Sequence, residues 1–272
     1  MSMCVKIRIL LFTVLLATPA LSVAALAQPD AGPGLPASMA SRLKTERVGP
    51  VEPGFYSVGD AGSFVLEPYG PTRYLLRLTG GKESFVLSVE RSSLGARILK
   101  YDTGATAIRV SVWGGMTLYT QGNPGGLPAT RQGDAPGANV LAISAGELQT
   151  AFNDEAGHLT YVQKISIRFS ADAAVLQADP ETRGRAFDAL TNAAVGIERF
   201  LGTLPGVRSL FARKVSSVKV AEGGKPTVTL SGNTLLVSFV PGEGHEGHAS
   251  SLAIQQELTR LFAVQPKDMA SK

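Results

Sequence analysis

Between Ser63 and Thr120 the chain lays down six short apolar runs, and turn residues cut each one off before it can lengthen into a helix. The runs are Ser63–Glu67, Tyr74–Leu78, Phe85–Val89, Arg97–Tyr101, Ala107–Trp113 and Met116–Thr120. Tyr69-Gly70-Pro71, Gly80-Gly81, Asp102-Thr103-Gly104 and Gly114-Gly115 stand between them. An amphipathic helix needs at least about 10 residues of unbroken pattern, and no segment here supplies it. Strands with a turn every ~8–12 residues close into an antiparallel barrel or sandwich. That pattern predicts a β domain over 53–136, ended by Asn123-Pro124-Gly125-Gly126-Leu127-Pro128 and a loop to about Gly137.

The pattern changes after Gly137, and residues 137–265 read as an α+β domain. Ser144-Ala145-Gly146-Glu147 has capping-box form, with Leu148, Phe152, Leu159 and Val162 following at helical spacing. Ile165, Ile167 and Phe169 alternate with Ser166 and Arg168 as a half-buried strand does. Asp179-Pro180 combines a cap with a proline at the first helical position, and Gly202 stops the helix that Phe187, Leu190, Ala194, Ile197 and Leu201 stripe. Val215–Val220, Thr227–Leu230 and Thr234–Val240 predict a three-stranded meander, its last pair joined at Gly232-Asn233. A last helix near Ser251–Ala263 carries Ile254, Leu258, Leu261 and Phe262, with Ser250 or Ser251 as its cap. The expected fold class is α+β: a barrel or sandwich, then a meander with several helices.

The N-terminus reads as an export signal. Lys6 and Arg8 precede the apolar run Ile9–Leu16, and Ala25-Leu26-Ala27 forms an A-x-A cleavage signature. Residues 1–27 are expected to be removed near Ala27, leaving a periplasmic or secreted protein with no transmembrane segment. Residues 28–52, rich in Pro, Gly, Ala and Ser, read as a flexible leader, and 266–272 as a disordered tail. Cleavage takes Lys6 and Arg8 from a formal charge of +4, leaving +2, and removes Cys4, the single cysteine. The mature protein then has no disulfide and relies on its core. Mild charge, 7% aromatics and export exclude a nucleic-acid partner.

Two strings suggest chemistry. Asp102-Thr103-Gly104-Ala105-Thr106 spells the catalytic string of retroviral-type aspartic proteases, which pair two carboxylates around one proton. With one such triplet the chain would have to act as a homodimeric aspartic hydrolase through Asp102. Lys100 and Tyr101 precede it where buried apolar residues belong, so a hairpin turn is the expected reading, with Asp102 bonding its own loop and Gly104 at positive φ. The second string is Gly242-Glu243-Gly244-His245-Glu246-Gly247-His248, which holds two of the three histidines. Imidazoles and carboxylates ligate zinc, copper or nickel, so His245 and His248 are the metal candidates, with His158 as the third ligand they would need. Their spacing is not the one-helical-turn spacing of zinc proteases. Ser216-Ser217-Val218-Lys219 contains S-x-x-K, but on a predicted strand its Ser and Lys face opposite ways. Trp113 and Tyr119 can anchor a partner or pack in the sheet, and the basic group Arg208, Arg213, Lys214 and Lys219 reads as a solvated face.

Three stretches carry a family resemblance: Gly62–Leu78 (GSFVLEPYGPTRYLLRL), Trp113–Ala129 (WGGMTLYTQGNPGGLPA) and Ala249–Phe262 (ASSLAIQQELTRLF). Through them the chain resembles an exported bacterial family catalogued only as a domain of unknown function, along nearly the whole mature length. The resemblance implies no activity and no cofactor, and it places Asp102 in an ordinary strand-turn-strand region. The expected function is a non-catalytic binding or envelope-associated role, with another envelope protein or a cell-wall component as partner.

Overall fold

Strands that alternate buried and half-exposed residues need one covered face, and the first eight strands supply it by closing on themselves. The computed structural model describes residues 51–92, 95–137 and 141–263. The expected signal peptide, the leader up to residue 50 and the tail lie outside the described residues, all of which fall in one compact unit. The strands are β1 Gly54–Ser57, β2 Ser63–Pro68, β3 Arg73–Leu78, β4 Ser84–Arg91, β5 Arg97–Lys100, β6 Thr106–Val110, β7 Met116–Thr120 and β8 Asn123–Gly133. They form a closed antiparallel barrel in chain order, β8 pairing with β1. Phe64, Leu66, Leu76, Phe85, Leu87, Leu99, Ile108 and Leu118 fill its interior. Each such fully buried side chain contributes about 1.5–3 kcal/mol relative to exposure. Val51, at the end of the expected leader, is also buried in this core.

β8 corrects the expectation that the Pro/Gly segment ends the β region. Leu118 pairs with Leu127 while Thr120 pairs with Asn123, so Pro124–Gly126 bulge opposite Tyr119. A bulge accepts prolines and glycines that a regular ladder would reject, which is why this strand does not look like one. Trp113 is also outside its expected strand. β6 ends at Val110, and Trp113 sits 93% exposed in the β6–β7 turn.

The second half contains α1 Ala145–Gln163, β9 Arg168–Ala171, α2 Ala173–Gln177, α3 Pro180–Leu201, α4 Val207–Lys214, β10 Ser217–Glu222, β11 Thr227–Ser231, β12 Thr234–Phe239, a 3-10 turn Pro241–Gly247 and α5 Ser251–Leu261. The Ser144–Glu147 capping box and the Asp179 cap with Pro180 open α1 and α3 as expected. Of the α1 stripe, Leu148, Phe152 and Leu159 are buried but Val162 is 46% exposed.

The three later strands exist, but not as a meander. The sheet order is β11-β12-β10-β9, with β10 parallel to both β12 and β9 and only β11–β12 antiparallel. β12 carries Leu235, Val237 and Phe239, all buried, so it takes an interior position where both edges are paired. β11, with one buried residue, goes to the sheet edge. The parallel β9–β10 pair needs a long crossover, and α2, α3 and α4 provide it.

α3 and α5 pack closely. A Cβ on Gly196 of α3 would lie 2.7 Å from Ile254 Cβ and 3.0 Å from the Ser251 carbonyl oxygen of α5. Gly196→Ala gains about 1 kcal/mol of helix propensity but overpacks this contact at about 1–3 kcal/mol. Urea unfolding is expected to show a net loss of up to about 2 kcal/mol.

Candidate functional site

α5 begins with two adjacent serines, and the barrel meets each with a carboxylate. Ser250 is the N-cap, its hydroxyl accepting from the Ala253 amide. Its own amide and hydroxyl donate to the two Asp102 oxygens, at 3.0 Å and 2.7 Å. Ser251 donates its amide to Glu83 at 2.7 Å and its hydroxyl to the other Glu83 oxygen. Asp102 does occupy a hairpin turn, with Gly104 at φ 82°. Its carboxylate, however, caps a helix far away in sequence rather than bonding its own loop. Both of its oxygens are thus engaged in holding α5 to the barrel. Glu83 was not singled out by the sequence, because its partner lies 168 residues away.

Burial pushes the Glu83 carboxyl up to about 7 from 4.5, against the Ser251 hydrogen bonds and the Arg199 charge that pull it down, with Asp102 adding to the rise. The folded state therefore holds this proton more tightly than the unfolded chain. The stability contributed by Glu83 is complete below about pH 4.5 and is lost as pH rises through about 7.

The 3-10 turn beside α5 is pinned to the outer wall of the barrel. The Tyr69 hydroxyl accepts from the His245 amide at 3.1 Å and donates to the Glu243 carbonyl at 3.4 Å, and Arg73 pairs with Glu246. Gly244 lies at φ 59°, and a Cβ there would come within 2.5 Å of the Tyr69 hydroxyl, so only glycine fits. The turn roofs a cleft of about 430 Å³ lined by Arg73, Lys100, His245, Glu246, His248 and Ser250.

Behind this cleft His245, His248 and Asp188 of α3 gather, with one candidate ligand atom from each lying within 4.8 Å of the others. The third member is Asp188, not His158. The His158 Nε2 instead lies 2.8 Å from Glu198, which α3 presents to it. His248 is buried. The Asn192 amide nitrogen donates to the Ala249 carbonyl at 3.0 Å and faces His248 Nδ1 at 3.1 Å, so the neutral ring carries its proton on Nε2. That atom lies 3.8 Å from Asp188 Oδ2 and makes no hydrogen bond, and neither does the buried Nδ1 of His245. Burial, with the Arg185 and Arg77 charges, lowers His245 to about 4. Burial, His245 and Arg185 do the same to His248. Burial raises Asp188 to about 6, opposed by Arg185, whose Nη1 is 3.5 Å away.

A second, larger cleft of about 870 Å³ opens at one barrel mouth, against α3 and α5. Phe85, Ile98, Tyr119 and Leu252 form apolar walls, and Arg109 and Arg199 bring charge. Arg199 Nη1 donates to Gln121 at 2.6 Å while its buried Nε has no partner. The S-x-x-K pair stays apart, as expected: Ser216 bonds the Asn233 carbonyl at 3.4 Å, and Lys219 pairs with Asp172.

The family described as domain of unknown function DUF4908 matches residues 36–258, spanning the barrel, the mixed sheet and most of α5. The chain belongs to that family. No curated protein and no solved structure matches it. The DUF4908 match thus takes in Asp102, Glu83, both serines, His245 of the 3-10 turn and His248 just after it.

Two substitutions test the helix latch in this DUF4908 chain. Asp102→Ala is expected to cost about 1–2 kcal/mol in urea unfolding, the worth of a cap and its charge-assisted bonds. Glu83→Gln keeps a donor and an acceptor for Ser251 without the charge. Relative to wild type it should become more stable between pH 4.5 and 8, by on the order of 3 kcal/mol at the upper end.

Proposed function

We propose that this protein is exported and binds a small amphipathic anion in the cell envelope without transforming it. The observation that carries the reading is the barrel-mouth cleft of about 870 Å³. Its size falls in the range of small-molecule pockets, and barrel mouths are a common place for them. Apolar walls of Phe85, Ile98, Tyr119 and Leu252 suit a hydrocarbon or aromatic body. Arg199, with an unsatisfied buried Nε, and Arg109 suit a carboxylate, sulfonate or phosphate head. Engagement of both Asp102 oxygens by Ser250 supports a structural rather than a catalytic role for the protease-like string. Export is supported by Lys6, Arg8, the Ile9–Leu16 run and Ala25-Leu26-Ala27. Among the described residues no helix is long and apolar enough to cross a membrane.

Anilinonaphthalene sulfonate, itself an amphipathic anion, is a suitable probe. Wild type is expected to enhance its fluorescence at one site while keeping native near-ultraviolet circular dichroism. Arg199→Ala should weaken binding roughly tenfold or more, and Leu252→Trp should block it by filling the cleft. No enhancement by the native protein, or unchanged binding in both variants, would overturn the reading. For export, mass spectrometry of protein from a Gram-negative periplasm should give an N-terminus at Gln28. An intact Met1 in the cytoplasmic fraction would contradict it.

A further inference from the structure

The tight turn before α5 and the middle of α3 are brought together at a point where donor atoms have nothing to bind. His245 Nδ1 and His248 Nε2 are both buried and both lack hydrogen-bond partners. Orphaned polar atoms of this kind carry a desolvation cost, which native structures retain for a reason. Asp188 completes a set of two imidazoles and one carboxylate, one of its oxygens and one ring nitrogen of each histidine lying within 4.8 Å of one another, with His248 Nε2 3.8 Å from Asp188 Oδ2. His248 and Glu246 also line the cleft of about 430 Å³, which gives a path from solvent.

We propose that Asp188, His245 and His248 form a binding site for a divalent late transition metal of the zinc type. Two nitrogens and one oxygen suit zinc, cobalt, nickel or copper, whereas magnesium and calcium prefer oxygen alone. Ligand atoms in a tetrahedral zinc site lie about 3.3 Å apart, given bonds of ~2.0–2.1 Å. Contraction from the present spacing requires the turn bearing His245 to move in by up to about 1.5 Å, with the fourth position left to the cleft.

Two neighbours set how tightly the site binds. Metal on His248 Nε2 moves that ring's proton to Nδ1, so the Asn192 amide must turn over and accept it through its oxygen. The bond from Asn192 to the Ala249 carbonyl is then given up. Arg185, 3.5 Å from the Asp188 oxygen, occupies the same carboxylate and repels an incoming cation. Both effects oppose binding, and an affinity of micromolar order is expected. Arg185 also provides a test that a merely structural cluster would fail, since removing its charge should strengthen binding.

The experiment titrates the untagged full chain with cobalt chloride and follows its visible d–d absorption, then repeats with zinc chloride by calorimetry. Wild type is expected to take up one ion per chain. The half-exposed His245→Ala and the shape-conserving His248→Gln should each weaken binding at least tenfold, with circular dichroism confirming their folds. Arg185→Gln should tighten it at least about threefold, and His158→Ala should leave it unchanged. Failure of wild type to bind overturns the proposal, as does wild-type affinity in both site variants or an equal loss in His158→Ala. The site shares no residue with the barrel-mouth cleft, so anilinonaphthalene sulfonate binding stands or falls separately.

Discussion

The N-terminus of α5 presents backbone donors that the carbonyls of its own helix leave unpaired, and the barrel supplies acceptors for those of Ser250 and Ser251. Asp102 from the β5–β6 turn and Glu83 from the β3–β4 connection, just before β4, take the amides and hydroxyls of Ser250 and Ser251. Leu252, the next residue, packs against the barrel core. One helix start thereby joins the two hydrophobic cores, and the rest of the arrangement follows from where it is held. α3 lies against α5 at Gly196, so the latch also fixes Asp188, Asn192 and Arg199 relative to the barrel wall.

The same latch concentrates unusual electrostatics. Bringing a curved barrel wall against a helical layer buries Glu83, Asp188 and His248 together with apolar side chains, and each is driven toward its neutral form. Glu83 is compensated by two hydrogen bonds. His245 Nδ1 and His248 Nε2 have no hydrogen-bond partner, which separates a group used to build the fold from atoms left able to bind something.

Local signals in the chain proved legible where one short stretch contains both partners. Ser144 and Glu147 cap each other, and Asp179 with Pro180 starts α3, because a capping box and an N1 proline are complete within a few residues. The same holds for the inner barrel strands, whose alternation is local. β8 was hidden because its bulge against β7 holds Pro124, Gly125 and Gly126. The parallel pairing of β10 with β12 was hidden because a hairpin signal at Gly232-Asn233 says which strands are joined, not which third strand lies beside them. His245 and His248 could be named from their spacing, but Asp188 lies on another element with no spacing to mark it, whereas His158 attracted notice only by residue type.

The amino-acid sequence by itself determined the order and approximate limits of β2–β7, β9–β12, α1, α3 and α5, the α+β class and the caps of those three helices. It could do so because each depends on residues within a few positions of one another. Tertiary structure alone decided that the barrel closes through β8, that β12 is interior, and that Asp102 serves a helix rather than a reaction. It also decided that Asp188 completes the histidine pair. Each of these depends on which distant surface a residue meets, set by burial of the two cores against α5, and no local pattern records that choice.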